Sequence, residues 1–179
     1  MQLKRVVITG LGALTPVGNT VPEFWNSLLN GVSGAAPITR FDTEKFKTKF
    51  ACEIKNLDKT QFFDRKEIKK YDPYCQYALI AAKEGLEDAM IDAEKLDVDR
   101  IGVVWGSGIG GIETFQENML DYAKGDGTPR FSPFFIPKMI SDIAAGNISM
   151  KYVPGCVSLL TIKRIFAVAL PPTIFTILG

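Results

Sequence analysis

The sequence contains no histidine. Histidine is the side chain that titrates near neutral pH without perturbation, and it carries most general acid–base work. A Ser/His/Asp or Cys/His catalytic set is therefore excluded within these 179 residues. Cysteine is scarce: Cys52, Cys75 and Cys156 are too few and too scattered for a disulfide framework or a zinc site, and they fit a reducing, cytoplasmic setting. Excess charge of either sign is missing. With 21 Lys+Arg against 20 Asp+Glu the net charge is +1, so no global electrostatic footprint points to nucleic acid or to a membrane surface. Long apolar runs are missing too. The uncharged stretch after Arg164 carries the adjacent Pro171 and Pro172 and falls short of the roughly 20 apolar residues that a membrane-spanning helix needs. The opening residues, Met1 to Val7, hold no apolar run of signal-peptide length. What remains is ordinary soluble composition, 46% hydrophobic and 23% charged, in a length that predicts a single core.

Along the chain, Arg5-Val-Val-Ile-Thr9 reads as a buried strand that stops at the tight turn Gly10-Leu-Gly12. Thr20 and Glu23 have capping-box spacing, and Phe24, Leu28 and Leu29 give the next helix an apolar face that Gly31 ends. Residues 32–70 mix short apolar pieces with charge and read as irregular. Asp72-Pro73 then caps a helix carrying Cys75, Leu79, Ala82, Leu86 and Met90 on one face. Arg100 to Trp105 is a second buried-strand pattern, followed by Gly106-Ser-Gly-Ile-Gly-Gly111 and a helical pattern through Met119 and Tyr122. Phe131 to Pro137 is aromatic and proline-punctuated, and Met139 to Met150 reads as helix. Strands alternating with helices predict an α/β layered fold with parallel pairing. The tail from Val153 breaks the pattern and reads as a pair of β-rich segments, sticky if uncovered.

Gly106 to Gly111 has the spacing of a dinucleotide-binding turn between strand and helix, which suggests an NAD-type oxidoreductase. That chemistry also needs an acidic residue ending the next strand, about 20 residues on, to hold the ribose. Here that distance falls in the loop Gly125-Asp-Gly127. The alternative is that the glycines let the backbone turn tightly or approach another segment.

Taken together, several motifs resemble one family. Arg5-Val-Val-Ile-Thr-Gly-Leu-Gly12 with Thr15-Pro-Val-Gly-Asn19, Gly106 to Gly111, Ser132-Pro-Phe-Phe-Ile-Pro137 and Ala145-Gly-Asn-Ile-Ser149 follow one another as in the β-ketoacyl-acyl-carrier-protein synthases of type II fatty-acid elongation. The resemblance covers residues 1–152 and leaves 153–179 as a divergent apolar tail. It implies an α/β, partial thiolase-like fold, the N-terminal half of a duplicated αβαβα sandwich, with no cofactor and no metal. It implies decarboxylating Claisen condensation of acyl and malonyl thioesters in the cytoplasm, with acyl carrier protein as partner and a homodimer as the usual assembly. The family's chemistry needs an activated cysteine at a helix N-terminus, two histidines and an oxyanion hole of backbone amides.

This sequence departs from the family after Lys151-Tyr152. Ungapped counting puts the family's nucleophile near Ile165, within Lys-Arg-Ile-Phe, and both histidine motifs and the catalytic lysine belong to a second half. No catalytic residue is carried over. Cys156, in Pro-Gly-Cys, reads as an inert thiol. By resemblance, Ile109 lines the bottom of the acyl pocket and Phe134 lies in the segment that reaches the partner's pocket; core or interface packing is the alternative for both. Lys66, Lys69, Lys70 and Arg130 match positions that dock the acidic carrier protein; the alternative is a solvated charged face. The expectation is a truncated, inactive chain, which a frame change after Tyr152 would explain. A second reading is a non-catalytic fragment that keeps carrier binding. Half of a duplicated sandwich leaves its partner surface bare, so aggregation or loose packing is expected.

Overall fold

A computed structural model of the chain describes residues 7–92, 95, 97–155, 157–159 and 175–178. Among them the order is β1 (Ile8–Gly12), α1 (Val21–Leu29), β2 (Ala36–Pro37), β3 (Phe50–Ala51), α2 (Arg65–Lys70), α3 (Pro73–Asp88), β4 (Gly102–Val104), α4 (Ile112–Lys124), α5 (Phe135–Met139), α6 (Ile143–Tyr152), β5 (Val157–Leu159) and β6 (Phe175–Leu178). The chain divides into two compact units, one of residues 1–58, 81–91 and 170–179, the other of residues 59–80 and 92–169. Helix α3 gives its first half to the second unit and its second half to the first.

In the first unit, β1 pairs antiparallel with β6 and β2 with β3. Arg5 and Val6 of the expected first strand lie outside the described residues. Strand β1 runs from Ile8 through Gly10 to Gly12 instead of stopping at the glycines. The reason is contact with α3. A Cβ on Gly12 would lie 1.9 Å from the Ala81 carbonyl oxygen, and one on Gly10 2.3 Å from that of Gly85. Two carboxylates of α3 complete the joint. Asp88 accepts from Leu11 N at 2.8 Å, while Glu84 accepts from Ala13 N at 2.8 Å and Val21 N at 2.7 Å. Helix α1 starts at Thr20 as expected, but Glu23 accepts from Asn19 N at 2.7 Å, one residue before the cap. Of its expected apolar face, Phe24 is half-buried while Leu28 and Leu29 are exposed, as is Trp25. Met90, expected on the packed face of α3, lies beyond the helix end with φ +52° and is exposed.

In the second unit, β4 and β5 pair in parallel, Val103 opposite Ser158. A parallel pair needs a crossover, and α4, α5 and α6 lie within it in sequence. The pattern read as a fully buried strand is covered on one face only: Val103 is buried and Val104 exposed. Helix α6 packs through small or polar residues, Ala144, Ala145, Asn147 and Ser149, with Ile148 fully buried. Asn147 Nδ2 donates to Cys75 Sγ and Tyr152 OH to the Leu79 carbonyl, both on the first half of α3. The irregular reading of 32–70 missed α2, which a complete capping box starts: Glu67 N donates to Asp64 at 2.7 Å and Asp64 N to Glu67 at 3.3 Å. The proline-punctuated segment contains α5, where Pro137 falls in the first turn and its missing N–H costs no helical bond.

Candidate functional site

The Gly106–Gly111 loop joins β4 to α4, and backbone contact dictates its conformation. Gly110 has φ +86°, and a Cβ there would lie 2.4 Å from the Met139 carbonyl oxygen. A Cβ on Gly111 would lie 2.2 Å from that of Lys138. Gly111 N donates to Met139 O at 3.0 Å, and Gly110 N to Ser107 Oγ at 3.0 Å. Beside them sits a buried carboxylate, Asp72, 2% exposed. Its Oδ2 accepts from Thr114 N at 3.1 Å and from Thr114 Oγ1 at 2.6 Å, and its Oδ1 from Tyr74 N at 3.1 Å. These donors satisfy a charge whose unpaired burial would be costly. They also correct the dinucleotide reading. A pyrophosphate would take the amides that open α4, but Ile112 N already bonds the Gly110 carbonyl and Thr114 N the Asp72 carboxylate.

On the outer side of this loop lies an open cavity of ≈ 440 Å³, in the size range of small-molecule sites. Ile109, Ile112, Phe115, Met139 and Ile140 give it an apolar lining, with Ser141 and Asp142 as its polar residues. Tyr74 OH donates to the Ile140 carbonyl, which fixes one wall to the start of α3. Burial raises the Tyr74 phenol well above its ordinary pKa, so it stays a donor. Phe115, Phe135, Phe131 and Tyr122 form a ladder of rings with successive centroids 6.4, 5.2 and 5.9 Å apart, tying the aromatic segment to α4. Of the two residues proposed from sequence, Ile109 is on the lining, while Phe134 is exposed at the start of α5 and is not part of it. Sequence reasoning missed Ile112, Phe115 and Met139, whose signal was an apolar spacing read only as helix face.

Lys66, Lys69 and Lys70 are exposed and share one face of α2 by their i, i+3, i+4 spacing. The acidic residue within the helix, Glu67, is drawn away by its capping bond and by an ion pair with Lys151. Lys70 stands over the Tyr71 ring, 5.2 Å from its centroid. Arg130 lies in the loop after α4 and pairs with Asp126 at 3.0 Å. The Thr128 backbone amide, then its side chain, hold the Asp126 carboxyl below its ordinary pKa, with Arg130 adding to them.

Cys75 is no nucleophile. Burial pushes its thiol up to about 11, against the smaller opposing effect of the Asn147 hydrogen bond. Cys52 is exposed, and Cys156 and Ile165 lie outside the described residues. No cluster of three or more His, Cys, Asp or Glu side chains suited to a metal occurs among the described residues. No helix among them is long and apolar enough to cross a membrane.

The family described as β-ketoacyl synthase, N-terminal domain, matches residues 3–154. The chain belongs to that family. A curated relative, 3-oxoacyl-[acyl-carrier-protein] synthase 2 of Staphylococcus aureus (strain COL), is 46% identical over 152 residues, 83% of this chain and 36% of the relative. Among solved structures, the ishigamide ketosynthase/chain length factor superposes with a TM-score of 0.78 at 26% identity, covering 88% of this chain and 39% of that one. A type II PKS acyl-carrier protein in complex with its ketosynthase bound to the hexaketide gives a TM-score of 0.70 at 21% identity, covering 87% and 41%, a likeness of fold. The fold is the α/β, partial thiolase-like one. The chain spans little more than a third of the length of these relatives.

Proposed function

We propose that residues 1–152 supply the acyl-pocket wall and the carrier-protein docking face of an elongating 3-oxoacyl-acyl-carrier-protein synthase in fatty-acid biosynthesis. The polypeptide of residues 1–179 by itself does not condense acyl and malonyl thioesters. The observation that carries this reading is the apolar cavity beside the Gly106–Gly111 loop, with Ile109 on its lining and exposed Lys66, Lys69 and Lys70 in the same compact unit. An apolar cavity suits an alkyl chain, and a basic helix face suits an acidic carrier. Phe134, exposed at the start of α5, reaches a second copy in this reading, which makes the working assembly a cytoplasmic homodimer. Arg130 adds a basic group to the docking face.

Inactivity of the isolated polypeptide follows from chemistry. The condensation needs groups that stabilise the decarboxylating malonyl unit and polarise the thioester; with no histidine the chain lacks the family's means to do either. A thiol alone accepts an acyl group only by slow chemical transfer. The test supplies acyl- and malonyl-carrier protein to the chain and to a Cys156→Ala variant and measures β-ketoacyl product by mass. Product at the protein-free background in both is expected. Product above background that disappears in the variant would overturn the reading and make Cys156 a nucleophile.

A further inference from the structure

We propose that Asp72, acting through Thr114, is a positioning residue that sets how deeply an acyl chain seats in the cavity, an inference that rests on the acyl-pocket reading above. Asp72 does not line the cavity. Its carboxylate is buried, and Oδ2 takes both donors of Thr114, itself only 6% exposed. Thr114 lies in the first turn of α4 between Ile112 and Phe115, which both line the cavity, so a rotation of that turn moves both.

The opposite wall is referenced to the same short segment. Tyr74, whose amide donates to Asp72 Oδ1, also donates its hydroxyl to the carbonyl of Ile140. Gly111 N bonds the Met139 carbonyl, and a Cβ on Gly111 would come within 3.0 Å of Asp72 Oδ2, so the close approach needs glycine there. Both walls thus take their position from residues 72–74. A buried carboxylate resists leaving its donors, because it would carry its charge unsatisfied. The width of the cavity is therefore fixed by a polar joint beneath it.

The test measures binding of hexanoyl- and dodecanoyl-pantetheine to the full chain by calorimetry, at protein concentrations where it stays unassociated. Thr114→Ser keeps both donors and should keep the wild-type ratio of the two affinities. Thr114→Val, which loses the hydroxyl donor, and Asp72→Asn, which replaces one acceptor by a donor, should each lower the preference for the longer chain about tenfold, the scale of a lost methylene contact. Leu79→Ala, a buried truncation on α3 at a residue that does not line the cavity, controls for destabilisation and should leave the ratio unchanged. If Thr114→Val shifts both affinities equally, as Leu79→Ala does, Asp72 is a structural residue only, and this result decides even where Asp72→Asn fails to fold. A wild-type chain that binds neither thioester overturns the pocket reading and this inference with it.

Discussion

Gly12→Ala and Gly146→Ala make the same chemical change and are expected to act with opposite sign. At Gly12 the new methyl would stand 1.9 Å from the Ala81 carbonyl oxygen, 2.6 Å from Gly85 N and 3.0 Å from the Ala81 carbonyl carbon. All three are main-chain atoms, so no rotamer change relieves the overlap; β1 must lift from α3. Overpacking of this kind costs up to about 3 kcal/mol, and the lift also strains the bonds from Asp88 and Glu84 that hold the strand. For a chain of this size that corresponds to a fall in Tm of about 6 to 12 °C. At Gly146, inside α6, nothing lies within 4 Å of the added methyl. There the helix gains about 0.5 to 1 kcal/mol from the lower backbone entropy of alanine in the unfolded chain, a rise of about 1 to 4 °C. Thermal and urea unfolding followed by circular dichroism read both variants. Equal, small effects at the two positions would refute the tight β1–α3 joint and would favour the loose packing expected from the sequence.

Two further outcomes follow from the same structure. The Cys75 thiol, raised by burial to about 11, stays protonated in the folded chain while the unfolded thiol ionises near about 8.5. Its contribution is present below that lower value and is lost as pH rises toward about 11, so wild-type stability should fall more steeply with pH across this window than that of Cys75→Ala; parallel slopes would refute the buried-thiol argument. Carrier-protein binding, weak and salt-sensitive, should be abolished by Lys66→Glu with Lys70→Glu. Because Lys70 also covers Tyr71, Lys66→Glu alone separates docking from packing, and binding indifferent to both reversals would leave the face merely solvated.

The elements that sequence reasoning reached are those whose signal is local. Thr20 and Asp72-Pro73 begin helices because a side-chain acceptor or a proline's fixed φ acts within one turn. The short helix α2 had an equally local signal, Asp64 and Glu67 at capping-box spacing, hidden only by reading the flanking charge as irregular. Burial was less legible. Leu28 and Leu29 have the spacing of a packed face and are 49% and 69% exposed, because what covers a face is a property of the rest of the fold and not of the helix.

The glycine loop shows the same division in the candidate site. A strand, a glycine-rich turn and a helix are what both a nucleotide site and a packing joint require, so Gly106 to Gly111 alone does not separate them. The separation comes from Asp72, 42 residues from Thr114 in sequence and hydrogen-bonded to it in the fold. A helix N-terminus stabilises one anion well; once a buried carboxylate holds that place, a phosphate must displace it or bear its repulsion. The helix end that opened the nucleotide reading is therefore already engaged, through Thr114 N, by a carboxylate of the protein. On the apolar side of the loop Ile109 is 71% exposed and lines the cavity with Ile112 and Phe115. In the acyl-pocket reading proposed above, an alkyl chain covers this isoleucine.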